Sequence, residues 1–184
     1  DFTHGRIRRI GDLYRIESPN KIEVNLDLLC GLYTAFASLA GAQGGCQAEC
    51  GSAAAMAAAA ITELAGGTPH MVSQAVAIAL KNILGLVCDP VAGLVEIPCI
   101  KRNASGVAGA FVAAEMALAG IDSAIPADEV IWSMKRIGDV MSPTLKETAE
   151  GGLAATPTGR KLHDQVFGPG NVSGGCSGCS GCHS

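Results

Sequence analysis

The chain has 184 residues and a mass of 18.6 kDa, enough for one domain with a sizeable core. Its 13 Lys/Arg and 17 Asp/Glu leave a net charge of −4 and a pI near 5.5, with no basic cluster, which excludes a nucleic-acid binder built on positive charge. Hydrophobic residues make up 48% of the chain and aromatics only 4%, whereas 29 alanines and 24 glycines supply small side chains. Close-packed helices with small contact residues are therefore predicted, not a core built on aromatic anchors. Mean hydropathy is +0.32, but the longest weakly polar stretch, Leu28 to Ala42, is shorter than the roughly 20 residues of a membrane span. Asp1, His4 and four arginines by position 15 do not form a signal peptide, so a cytoplasmic protein without membrane association is expected.

Residues 1–25 mix charge with apolar residues and read as short strands or an irregular arm. Asp27 to Ala40 is apolar enough for a buried helix, and GAQGG at Gly41–Gly45 breaks it. Gln47 to Ala65 is an almost pure alanine helix stopped by Gly66-Gly67. Thr68-Pro69 starts the next, with Thr as cap and Pro in the first turn; Val72, Val76, Ala79 and Ile83 give it one buried stripe, ending near Gly85. Pro90 and Pro98 prevent residues 85–100 from being one helix and shape a loop instead. A further alanine-rich helix is predicted from Asn103 to Gly120, and another from Asp128 to Val140, acidic at its start and basic at Lys135-Arg136. Ser142-Pro143 and Thr156-Pro157 read as two more helix starts. The expected fold is all-α, a compact bundle of Ala/Gly-rich helices carrying a proline-containing loop.

Eight cysteines in a helical chain without a secretion signal point to metal or redox chemistry instead of a disulfide framework. Cys46 follows a glycine-rich break, and Cys88 and Cys99 sit at the two ends of the proline loop, 42 and 11 residues apart in sequence. None forms a C-x-x-C pair, which excludes a zinc ribbon or a thioredoxin site. At turns, backbone amides can be aimed at a bulky inorganic group, and hydrogen bonds of that kind tune iron–sulfur clusters. Three cysteinates on a four-iron cubane leave one iron free to act as a Lewis acid. The competing reading is that all are ordinary core residues, as Cys30 and Cys50 are expected to be.

The segments GCQAECGSAAAMAAAAITELAGGTP, GLVCDPVAGLVEIPCIKRNA and KETAEGGLA, collinear between about Gly41 and Gly168, resemble the α chain, or catalytic domain, of iron–sulfur L-serine dehydratases. C-D-P-V-x-G-L-V-x-x-P-C is the most specific part of the resemblance. The resemblance implies an all-α catalytic domain and a [4Fe–4S] cluster on Cys46, Cys88 and Cys99. It further implies that the iron without a thiolate takes the hydroxyl and carboxylate of L-serine. By the resemblance, a base then removes the α-proton, the iron-bound hydroxyl leaves, and water hydrolyses the resulting enamine to pyruvate and ammonia. Pyridoxal phosphate is not required. The domain division expected on this basis is an arm over 1–25, a helical cluster-binding part of the catalytic domain over 26–168, and a flexible Cys/Gly/Ser-rich tail over 169–184. Substrate-binding motifs that precede the first cluster cysteine in the family are not found in residues 1–40. A fragment is therefore expected, or a chain completed by a partner: a β subunit or the missing N-terminal catalytic segment, in an oligomer.

Around the cysteines, Asp89 either orients the substrate ammonium or caps its turn. Lys101, Arg102 and Asn103 place two cations at a helix start, where the dipole disfavours them, which makes a carboxylate- or cluster-facing role for one of them a live reading. Lys101, Asn103 and Asp89 are thus the catalytic candidates, and no general base is assigned. Ser52 can reach a cluster sulfide. Glu49 suits the dipole of its helix start, and His70 and His163 read as surface residues. Gly151-Gly152 suggests close backbone approach. Cys176, Cys179 and Cys182, followed by His183, lie in a Gly/Ser-rich tail that serves as a lid on the free iron, as a separate soft-metal site, or as a disordered end. Alternatives to serine deamination are a cysteine-desulfurating lyase of the same superfamily and a non-catalytic iron–sulfur or metal-binding protein.

Overall fold

The computed structural model describes residues 40–170 and, at the N-terminus, the backbone of three short strands. β1 (Arg6–Ile10) pairs antiparallel with β2 (Leu13–Glu17), Arg6 facing Glu17 and Ile10 facing Leu13. β3 (Glu23–Asn25) adds to the other edge of β2, giving the order β1-β2-β3. Of the two readings of the arm, the strands are the one adopted. Most of the helix expected over Asp27–Ala40, together with Cys30 and the cysteines of the tail, lies outside the described residues.

Residues 40–170 form the expected all-α bundle. After a single turn, α1 (Gly41–Gly44), the chain passes Cys46 into a π-helical turn over Gln47–Gly51 and then into α2 (Ser52–Leu64). The single alanine helix read from Gln47 is therefore two segments, joined where the wider π turn begins; such turns are rare and concentrate at functional positions. Gly66, at φ +88°, ends α2, and the Gly67 amide returns to the Thr62 carbonyl. Thr68 caps α3 (Pro69–Lys81) by accepting a hydrogen bond from the Met71 amide, and the remaining turn to Gly85 is not helical. α4 (Cys99–Leu118) begins four residues earlier than predicted, directly after the cis Ile97–Pro98 bond, so Cys99 opens the helix instead of preceding it. α5 spans Ala127–Val140. Ser142-Pro143 opens only a 3-10 turn over Pro143–Leu145, whereas Thr156-Pro157 begins α6 (Pro157–Phe167), its cap accepting from the Gly159 amide.

The core lies between α2, α3, α4 and α5. Ala55, Ala58 and Ala59 of α2 meet Ala75, Ala77 and Ala79 of α3 and Ala110, Ala113 and Ala117 of α4, with Leu80, Ile131 and Met134 as the bulky members. Methyl-sized contacts let these helices approach closely, as the composition requires. The same economy brings α1 against α5, where a methyl on Gly138 would stand 3.0 Å from the Gly44 Cα. No helix among the described residues is long and apolar enough to cross a membrane.

Candidate functional site

Three stretches of chain meet beneath the first turn of α4. Gly45, at φ +77°, turns the chain so that Cys46 enters the interior; a side chain there would collide with the Leu86 carbonyl and the Met141 sulfur. Gln47 is fully buried and holds this corner through all its polar atoms. Its amide Nε2 donates to the carbonyls of Gly44 and Met134, both at 3.0 Å, and its Oε1 accepts from the Gly85 amide at 2.9 Å. One side chain thus fastens α1, α5 and the end of the α3 turn around Cys46. Cys88 is fixed by its backbone: its amide donates to Leu145 O and its carbonyl accepts from Glu147 N, a one-residue parallel bridge to Lys146. The KETAEGG stretch is thereby the strap that holds the second cysteine. The loop from Cys88 to Cys99 is closed by Val91 N donating to Ile97 O at 2.8 Å.

Cys46, Cys50 and Cys88 are buried together, and Cys99 is half-buried beside them. The Cys88 thiol donates a hydrogen bond to the Cys46 sulfur. That bond and the Arg102 guanidinium, 3.7 Å from Cys46 Sγ, outweigh burial and bring the Cys46 pKa down to about 7. As donor to Cys46, and then through burial, Cys88 is held well above the usual thiol range. Burial is the main cause that raises Cys50, to about 11, and it also raises Cys99. The nest therefore favours one thiolate and resists a second unless a cation arrives to share the charge.

Arg102 is the member of the Lys-Arg-Asn triplet that turns inward. Besides Cys46 it reaches the Val87 carbonyl at 2.8 Å and forms a 2.7 Å ion pair with Asp89 Oδ1, an oxygen with no other partner. The other oxygen of Asp89 accepts from the Leu153 amide at 2.8 Å. Asp89, 3% exposed, joins the cysteine loop to the 152–155 turn. Lys101 and Asn103 are exposed, Asn103 donating only to the Cys99 carbonyl. Gly152, at φ +58°, lies so close to Asp89 that any Cβ would overlap the carboxylate, and a Cβ on Gly151 would stand 2.7 Å from the Thr144 carbonyl oxygen. Glu147, at φ +66°, and Glu49 bring two carboxylates toward the thiols; crowding by protein atoms and the Glu147 charge raise the Glu49 pKa. Ser52 Oγ is buried and has no hydrogen-bond partner. Among the described residues no three His, Cys, Asp or Glu side chains close around a point where one metal ion would sit.

The roles of Gln47 and Arg102 were not singled out by sequence. A glutamine within an Ala/Gly run was the available signal for the first, and a cation at a helix start for the second. His70 is exposed and paired with Asp122 at 2.9 Å, far along the chain from the thiols. His163 is half-buried on α6, its ring against Phe167.

The described residues thus bring a buried thiol nest together beside a guanidinium in an alanine-built helical domain. The chain belongs to the serine dehydratase alpha chain family, whose model matches residues 27–154. It is 66% identical over 132 residues to the "Probable L-serine dehydratase, alpha chain" of Bacillus subtilis, a match covering 72% of this chain and 44% of that protein. The protein of the same name from Latilactobacillus sakei is 63% identical over 72% of this chain and 63% of its own length. The "L-serine dehydratase, alpha chain" of Peptoniphilus asaccharolyticus is 56% identical over 70% of this chain and 44% of its own. The chain thus spans less than two thirds of the length of each of these relatives.

Proposed function

We propose that this chain is the cluster-bearing part of an iron–sulfur L-serine dehydratase, with Cys46, Cys88 and Cys99 as ligands of a [4Fe–4S] cluster. The observation that carries the reading is that Cys46 and Cys88, 42 residues apart, are buried together with Arg102 against one sulfur, and that Cys99 lies half-buried within electrostatic reach of Cys46. The donor chemistry fits such a group. Thiols from three separate segments, with no imidazole among them, are the soft set that iron–sulfur clusters take. A guanidinium beside Cys46 offsets the negative charge that three thiolates would add.

When bound, the cluster supplies an electrophilic iron that stabilises charge on the departing hydroxyl oxygen of L-serine. The chain's own residues hold the geometry. Arg102 keeps the loop after Cys88 in register with α4 by clasping Val87 O and Asp89. The 145–147 strap sets the height of Cys88, and Gln47 sets that of Cys46. Glu49 and Glu147 place carboxylates at the edge of the nest, and the burial of Cys46 and Cys88 excludes water from the ligand sulfurs. Deamination of L-serine by the whole assembly yields pyruvate and ammonia, with a β subunit or further catalytic-chain length completing the substrate site.

Anaerobic reconstitution with iron and sulfide, followed by addition of L-serine, L-cysteine or buffer in the presence of the partner chain, tests the reading. Iron-dependent release of pyruvate and ammonia from L-serine supports it. Sulfide release from L-cysteine with no turnover of L-serine assigns the desulfurating alternative. Iron incorporation without turnover of either substrate leaves a metal-binding protein.

A further inference from the structure

α4 exposes an apolar face along most of its length. Ile100, Val107, Phe111, Val112 and Met116 are 38–63% exposed, and Ala104, Ser105, Ala108 and Gly109 among them are exposed as well. No charged residue lies between Arg102 and Glu115. The outer face of a surface helix ordinarily carries charges. α5 follows that pattern, with Asp128, Glu129, Lys135, Arg136 and Asp139 all exposed. An exposed apolar face of the extent seen on α4 marks a surface for another chain.

Within this face Lys101, Ala104, Ala108, Phe111 and Glu115 recur at alternating intervals of three and four residues, the spacing of a helix–helix seam. The row is about 21 Å long. It has a cation at one end, a carboxylate at the other and Ala108 at its midpoint. Among the described residues neither Lys101 nor Glu115 forms an ion pair. Turned end for end, the row is complementary to itself. With a two-fold axis through Ala108, Lys101 meets Glu115 of a second copy at both ends of the contact. Phe111 and Val112 fall against Ala104 and Ser105 of the second copy, large against small. The two Ala108 methyls meet at the axis and let the backbones approach closely. A parallel pairing would instead set like charges side by side at each end, which is unfavourable.

We infer that the exposed face of α4 is a homodimer interface, in which α4 of two copies pairs antiparallel about Ala108. Such a contact is isologous and closed, using the same patch on both copies. The apolar middle supplies the affinity, and the terminal charges fix orientation and register. Cys99 lies roughly half a turn round the helix from this row. The inference is therefore independent of what the thiol nest holds.

Sedimentation equilibrium of the full chain under reducing conditions is the test, because it reads mass directly. A species of twice the 18.6 kDa chain mass is expected at about 100 μM, dissociating on dilution. Ala108→Lys sets two ammonium groups against each other at the axis. It should raise the dissociation constant at least about tenfold with unchanged circular dichroism. Lys101→Glu should weaken the dimer in the same direction, and Lys101→Glu combined with Glu115→Lys should restore it. Val140→Lys, on α5 and 84% exposed, should leave the dimer as it is. A monomer at every concentration would overturn the inference and leave the face to a different chain. A dimer indifferent to Ala108→Lys, an equal loss in Val140→Lys, or a charge swap that fails to restore association would each overturn it as well.

Discussion

Arg102 does more than any other single residue to organise the nest. Its guanidinium touches a ligand candidate, a loop carbonyl and a buried carboxylate. Arg102→Leu would leave Asp89 buried with only the Leu153 amide as donor. Removing one partner of a buried pair costs about 3 kcal/mol, so the urea midpoint should fall accordingly at pH 7. A midpoint within error of the parent would show that water replaces the guanidinium at no cost. For the thiols the expectation concerns metal. Cys46→Ala, Cys88→Ala and Cys99→Ala should each lose most of the iron after anaerobic reconstitution, because two thiolates leave a cubane under-ligated. Cys50→Ala should retain it and cost about 1 kcal/mol as a small core truncation. Iron retained in Cys46→Ala but lost in Cys50→Ala, measured by elemental analysis, would exchange the roles of these neighbours.

At the level of elements, the thiols are placed by turns that only glycine allows and by straps from distant sequence. Gly152 and Gly66 both have positive φ, yet nothing lies within 4 Å of a methyl on Gly66, while one on Gly152 would overlap Asp89. Gly66→Ala should therefore cost only the backbone strain, about 1 kcal/mol. Gly152→Ala should cost at least about 2 kcal/mol and, by displacing Asp89, should also lower the iron content. Equal losses of stability in the two variants, from thermal melts, would mean that the 152–155 turn is not clamped to Asp89. The π turn over Gln47–Gly51 belongs to the same logic. It interrupts what composition alone would make a continuous helix, and it places Gln47 facing α5 while Cys46 and Cys50 face Cys88.

Across the whole molecule, the site lies at an edge. Cys99 is only half-buried, and Ile97 and Ile100 beside it are 42% and 63% exposed. A cluster held there in the isolated chain is within reach of dissolved oxygen. Reconstituted protein moved into air should lose its visible absorbance and iron over hours. Retention of both for days, without added iron or reductant, would contradict a cluster with an accessible iron.

Much of the helical body was legible in the sequence because its signals are local. Thr68-Pro69 and Thr156-Pro157 carry their own caps, Gly66-Gly67 carries its own stop, and the alanine runs admit no other packing than close helices. Membership of the family was legible through the unusual loop pattern between Cys88 and Cys99. Other features were decided only by tertiary structure, because they arise between residues distant in the chain. Nothing near Gln47 announces that its partners are Gly44, Met134 and Gly85. Nothing in the Lys-Arg-Asn triplet tells which cation turns inward until Asp89 and Cys46 are seen beside it. The extra turn at the start of α4, from Cys99, follows the same rule: propensity placed the helix start at Asn103, whereas docking against the 88–91 loop extends it to the cysteine. Local chemistry determined which segments are helices; the burial of one guanidinium and one amide among three separated segments decided how Cys46, Cys50 and Cys88 meet.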